Sequence, residues 1–128
     1  MLSGLHVLVV EDDPTIAMYL ADVITGAEGA VLGPFGSLRE ARSFLGTAQP
    51  VDVAILDVNL ADGDVTPVLE ALRARATPIL VYTASERLPD RMMDRHPDLV
   101  VLQKPVQPGR LVGELRRQFR GSPQAAAS

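Results

Sequence analysis

Val53-Ala54-Ile55-Leu56-Asp57 is a short apolar run that stops at an acid. Segments with helical spacing flank it on both sides, so it reads as the central strand of a parallel sheet, buried on both faces. Asp57 then lies at the carboxyl end of that strand, the edge where open α/β sheets place their ligands. A second run, Val7-Leu8-Val9-Val10, has the same character and ends in Glu11-Asp12-Asp13. If the two strands are neighbours, three or four carboxylates meet at one sheet edge. Two unit charges about 4 Å apart repel by ~1 kcal/mol in water and by ~4 kcal/mol at a dielectric of ~20, so the cluster does not exist for stability. It calls for a cation, and ligands that are all carboxylate oxygens suit Mg2+ or Mn2+ better than zinc.

The whole chain sets the outer limits. Its 128 residues correspond to one domain, long enough to bury a substantial core. With no cysteine there is no disulfide framework, thiol nucleophile or cysteine metal site. The apolar runs are too short for a membrane span, and no charged-then-apolar leader opens the chain, so a cytoplasmic protein is expected. A net charge of −4 argues against nucleic acid as a partner. Arg110, Arg116, Arg117 and Arg120 form a basic stretch read as a solvated helix face, with an acidic protein partner as the second reading.

Strands and helices alternate along the chain. Asp13-Pro14 starts the first helix, with Asp13 as cap and Pro14 at the first helical position, and the helix is expected to stop near Gly29. Residues 30–33 form a second strand closed by Pro34. Ser37 and Glu40 make a capping box for a second helix that points Leu38, Ala41, Leu45 and Ala48 inward. After Asp57 comes a loop through residues 59–63, then a third helix starting between Asp64 and Pro67 that buries Val65, Val68, Leu69 and Leu72. Residues 78–82 are the fourth strand, ending in Thr83-Ala84-Ser85, and residues 99–102 the fifth, ending in Gln103-Lys104-Pro105. Pro89 and Pro97 restrict a fourth helix to residues 88–96 at most. A last helix spans Pro108 to Arg120 and buries Leu111, Val112, Leu115 and Phe119; residues 121–128 are expected to be a flexible tail.

This alternation specifies a doubly wound α/β fold, a five-stranded parallel sheet of order 2-1-3-4-5 with a short or irregular fourth helix. The order puts the ends of strands one and three side by side, bringing Glu11, Asp12 and Asp57 together, with Thr83 and Lys104 flanking them on strands four and five.

The strand-end acids Glu11-Asp12-Asp13, the segment Leu56-Asp57-Val58-Asn59, the pair Thr83-Ala84 and the pair Lys104-Pro105 stand in order at the ends of four different strands. In this the sequence resembles the receiver domain of bacterial two-component response regulators, over residues ~4 to 120 of a domain expected to span residues 1–120. The resemblance implies a phosphorylation-dependent switch in which Asp57 is the phosphoacceptor and the output is a protein contact or a phosphoryl sink. Mg2+, or alternatively Mn2+, would be held by Glu11, Asp12, Asp57 and the backbone carbonyl of Asn59, while Thr83 and Lys104 would bind the phosphoryl group and Pro105 would follow the lysine in cis. The implied partners are a histidine kinase or phosphotransfer protein, a downstream protein, and a second copy through the face made by helix four, strand five and helix five. No autonomous enzyme activity is implied.

Several residues depart from the family pattern or carry a plainer reading. Receivers commonly carry an aromatic residue three positions before the lysine, and here that position is Val101. The short fourth helix, with Leu32-Gly33-Pro34 and Leu102-Gln103-Lys104-Pro105, resembles stand-alone receivers that lack an output domain. Asp13 is read as a helix cap rather than a ligand, Asn59 also suits a turn, and His6 and His96 are read as structural. A haloacid-dehalogenase-type phosphatase would need an acid at position 59, and a flavodoxin-like cofactor carrier would not place Glu11-Asp12-Asp13 in its phosphate loop. A protein-binding module that works without phosphorylation stays open as the alternative.

Overall fold

The computed structural model describes residues 1–85, 87–123 and 125. Its main sheet contains β1 (His6–Val10), β2 (Ala30–Phe35), β3 (Val53–Leu56), β6 (Ile79–Thr83) and β7 (Val100–Gln103), all parallel, in the order β2-β1-β3-β6-β7. Two further strands, β4 (Asn59–Leu60) and β5 (Gly63–Asp64), form a small antiparallel hairpin. Counting only the main-sheet strands, the order is the 2-1-3-4-5 expected from the alternation.

Side-chain alternation splits the core into two layers, because successive residues of a strand face opposite sides of the sheet. Leu8, Val10, Ala54, Leu56, Ile79 and Val81 face one side and pack against Ala41, Val68, Leu69, Leu72 and Met92. Those residues belong to α2 (Leu38–Leu45), α3 (Thr66–Ala74) and α4 (Asp90–Arg95). Val7, Val9, Val53, Ile55, Leu80 and Tyr82 face the other side, against Leu20 and Ile24 of α1 (Pro14–Gly26) and Leu111 and Leu115 of α5 (Pro108–Arg120). β3 and β6 lie between two covered faces and are buried throughout, whereas the edge strands β2 and β7 are mostly half-buried or exposed. No helix among the described residues is long and apolar enough to cross a membrane.

Capping follows local chemistry. The Asp13 carboxylate accepts the Thr15 and Ile16 amides at the start of α1, at 2.9 and 3.4 Å, and Ser37 Oγ accepts the Glu40 amide at 3.1 Å at the start of α2. The second helix is shorter than its pattern suggests. It ends at Leu45, and Ala48 is exposed with φ of 60°, while Phe44 packs on the core in its place. The first helix also stops early, at Gly26, with Glu28 rather than Gly29 taking the positive φ.

Two other boundaries differ from the expected ones. β2 runs through Pro34 to Phe35, with a register irregularity against β1 and a cis Gly33–Pro34 bond; an edge strand tolerates a proline because one row of its donors has no partner strand. Residues 59–64 form the hairpin rather than an open loop, pairing Asn59 with Asp64 and Leu60 with Gly63. α4 does fall within 88–96. Of its expected anchors Leu88 and Met92 are buried, but Met93 is 39% exposed. In the expected tail, Ser122 is buried and donates to the Phe119 carbonyl at 2.6 Å, and residues 124 and 126–128 lie outside the described residues.

Candidate functional site

Register builds the site. Val10 lies beside Leu56, so the residues that follow them, Glu11 and Asp57, leave the sheet together. Their backbones remain tied: the Asp57 amide donates to the Val10 carbonyl and the Glu11 amide to the Phe35 carbonyl, both at 2.9 Å. Glu11, Asp12 and Asp57 each present a carboxylate oxygen within 4.8 Å of the others. Thr83 ends β6, is buried, and its hydroxyl accepts the Ser85 amide at 3.2 Å. Lys104 follows β7, its amide bound to the Thr83 carbonyl at 2.7 Å, and the Lys104–Pro105 bond is cis.

Lys104 is the centre of charge. Its ammonium lies 2.6 Å from Glu11 Oε1 and 3.6 Å from Asp57 Oδ2. Burial alone would lower its pKa, but the hydrogen bond to Glu11 and the charges of Asp57 and Glu11 outweigh burial and hold it above the ordinary lysine value. Glu11 shows the opposite balance. Burial dominates and pushes its carboxyl up to about 7, although the Lys104 and Asp13 hydrogen bonds work against the rise and the Asp57 charge adds to it.

The donor set fits a hard divalent cation, since it offers oxygen ligands only and carries more negative than positive charge. The ligands are not equivalent. Glu11 already spends Oε1 on Lys104 and Oε2 on the Asp13 amide at 3.1 Å, which leaves Asp12 and Asp57 with the freer oxygens. Asp13 stands outside the three-carboxylate cluster and caps α1. Asn59 sits in β4, two residues past Asp57, and is exposed.

Sequence reasoning missed the floor beneath Lys104. Tyr82 places its ring 5.5 Å from the ammonium, and its hydroxyl accepts the Val106 amide at 3.2 Å. From α1, Tyr19 donates to the Val106 carbonyl at 2.7 Å. Both tyrosines therefore position the segment after the lysine, and only the fold brings residues so distant in the chain together. Val101 is half-buried in β7 and borders a cavity of about 260 Å³ with Leu88, Met93 and His96. His6 pairs with Asp52 at an exposed position, so neither histidine joins the acid cluster.

The family profile described as the response regulator receiver domain matches residues 7–116. The chain belongs to the receiver-domain family. Receiver domains are signalling domains, and phosphorylation signalling is the role this membership gives the chain. Among curated relatives, this receiver domain is 36% identical over 96 residues to the transcriptional activator protein IrlR of Burkholderia pseudomallei, covering 69% of this chain and 38% of that protein. It is 28% identical over 107 residues to the phyllosphere-induced regulator PhyR of Methylorubrum extorquens, covering 80% of this chain and 39% of the relative. The receiver domain thus spans well under half the length of these relatives. Among solved structures, a sensor protein from Polaromonas superposes with a TM-score of 0.77 at 25% identity, covering 91% of this chain and 96% of the other. The receiver domain of a sensor histidine kinase from Pseudomonas aeruginosa, whose structure has a magnesium ion coordinated in the active site cleft, superposes with a TM-score of 0.76 at 24% identity, covering 91% and 98%.

Proposed function

We propose that the protein is a phosphorylation-dependent switch in which Asp57 takes a phosphoryl group from the phosphohistidine of a histidine kinase or phosphotransfer protein. A carboxylate oxygen of Asp57 forms the new P–O bond, the P–N bond to the donor imidazole breaks, and the released nitrogen keeps the electron pair and takes up a proton. The observation that carries this reading is the position of Lys104, whose ammonium sits 3.6 Å from Asp57 while held by Glu11 at 2.6 Å. An incoming phosphoryl oxygen would compete with Glu11 for that ammonium.

Asp12 and Asp57 are the residues to hold Mg2+, or Mn2+ in its place, with the Asn59 carbonyl as a further ligand and Glu11 acting directly or through water. The bound ion supplies charge neutralisation between an anionic nucleophile and an anionic phosphoryl group. Thr83 is suited to donate its hydroxyl proton to a phosphoryl oxygen, because the hydrogen bond this hydroxyl makes among the described residues is one it accepts, from the Ser85 amide. Tyr82 keeps the Lys104 stem and the Val106 segment in place.

Intact-mass measurement after incubation with acetyl phosphate or a phosphorylated kinase tests the reading. One phosphoryl group is expected on the native chain and none on Asp57→Asn. Equal uptake by that variant would move the acceptor elsewhere, and no uptake by the native chain would favour a binding module that works without phosphorylation.

A further inference from the structure

α1 and α5 lie side by side on one face of the sheet and share a core built on Leu20, Ile24, Leu111 and Leu115. Each has 13 residues and begins with a proline, Pro14 in one and Pro108 in the other. Thr15 and Ile16 border the same cavity as Gln107 and Pro108, so the two helices start level. Both belong to connections of one parallel sheet, so they run in the same direction. At equal rise per residue, Met18 stands level with Val112 and Gly113, and Asp22 with Arg116.

The outer surfaces of the two helices are opposite in charge. α1 and the turn after it carry Asp22 and Glu28 and no lysine or arginine, whereas α5 carries four arginines against the single Glu114. Among the described residues, none of Asp22, Glu28, Arg116 and Arg120 enters an ion pair, and no ion pair joins the two helices. The shapes are opposite as well. Met18 projects from α1 with 67% of its surface exposed. On α5, Gly109 and Gly113 are exposed, and a Cβ added at either would meet nothing within 4 Å. Packing inside the chain therefore does not call for glycine there, although glycine weakens a helix.

We infer that this face binds a second copy of the chain about a two-fold axis parallel to the helices. Such an axis lays α1 of each copy along α5 of the other, in the same direction and at the same level. The surface is then self-complementary, as a two-fold interface must be. Met18 enters the hollow over Gly109 and Gly113 of the other copy, Asp22 faces Arg116, and Glu28 lies near Arg120. An acidic protein would satisfy the arginines but would meet Asp22 with like charge and leave Met18 uncovered, and this decides for a second copy. The inference goes beyond the phosphotransfer reading and does not rest on it, since α1 and α5 meet without Asp57.

Sedimentation equilibrium of the full chain, from micromolar to millimolar and at low and high salt, tests the inference. The mean mass should rise from 13.7 kDa towards twice that value, with weaker association at high salt because exposed charge pairs are screened. Asp22→Arg and Arg116→Glu should each weaken dimerisation by about tenfold or more, and the two together should restore it. That recovery separates a lost contact from a damaged fold. Gly113→Leu fills the hollow with a better helix former, so it should melt no lower than the native chain at monomer concentrations, yet it should not dimerise. A chain monomeric at every concentration would overturn the inference, and if that monomer bound poly-glutamate the face would belong to an acidic partner instead. A dimer indifferent to both charge reversals, or one that the double reversal fails to restore, would overturn it too.

Discussion

Lys104 and Glu11 are separated by 93 positions in the chain, yet their side chains meet at 2.6 Å in the buried floor of the acidic site. The pair binds the first strand end to the last. It also leaves Glu11 with its carboxyl raised to about 7 by burial, against an ordinary value of 4.5.

The sign of the resulting pH dependence follows from linkage. A carboxyl whose folded pKa lies above its unfolded value contributes stability that is complete below the unfolded pKa and is lost as pH rises through the folded one. Metal-free protein should therefore lose stability from Glu11 between pH 4.5 and about 7. Urea midpoints across that range in chelator should fall with pH in the native chain, and the fall should be smaller in Glu11→Gln. Identical slopes would show that Glu11 does not titrate in this window.

Millimolar Mg2+ should raise the melting temperature, because a ligand bound only by the native state stabilises it by mass action. The effect should be larger above pH 7 than below it, where a proton on Glu11 competes, and Asp12→Ala should abolish it. Melts indifferent to Mg2+ in a well-folded sample would count against the metal site.

Removing Lys104 leaves Glu11 and Asp57 facing each other with no cation. Lys104→Met should cost roughly 2–4 kcal/mol in metal-free denaturant titrations at neutral pH, near the lower end of what breaking a buried pair costs. Mg2+ should restore more stability to this variant than to the native chain. A loss under about 0.5 kcal/mol would mean the pair is exposed enough to be screened.

The hairpin after Asp57 is fastened to α2: the Asp62 carboxylate accepts the Leu38 and Arg39 amides at 2.8 and 3.1 Å, and these bonds hold its pKa below the usual carboxylate value. A change at Asp57 thus has a short covalent and hydrogen-bonded route to that helix. Asp62→Ala should speed hydrogen exchange at Leu38 and Arg39 while sparing α5. Exchange unchanged at both amides would show that Ser37 alone caps the helix.

The cavity beside Val101 leaves α4, with only six residues, resting on few apolar anchors. Val101→Phe should fill that space and stabilise the chain by about 1 kcal/mol, the scale of one or two newly buried methylene groups. Beryllofluoride, a phosphoryl mimic, should change exchange across residues 85–97 in the native chain and less in this variant, since low local stability is what lets a segment respond. Equal protection of the segment with and without the mimic would place the response elsewhere.

The order of the sheet, the two buried central strands and the convergence of Glu11, Asp12 and Asp57 were legible in the chain alone, because apolar runs that end in acid report both burial and the edge where burial stops. The Asp13 and Ser37 caps were legible for a similar reason: each is satisfied within three residues. What the tertiary structure decided depends on distance along the chain. Nothing near Glu11 in sequence says that Lys104 will take its Oε1, or that Tyr82 and Tyr19 will brace the segment after that lysine. The hairpin at residues 59–64 was equally hidden, since two-residue strands carry no periodicity and are held by Asp62 reaching to another helix.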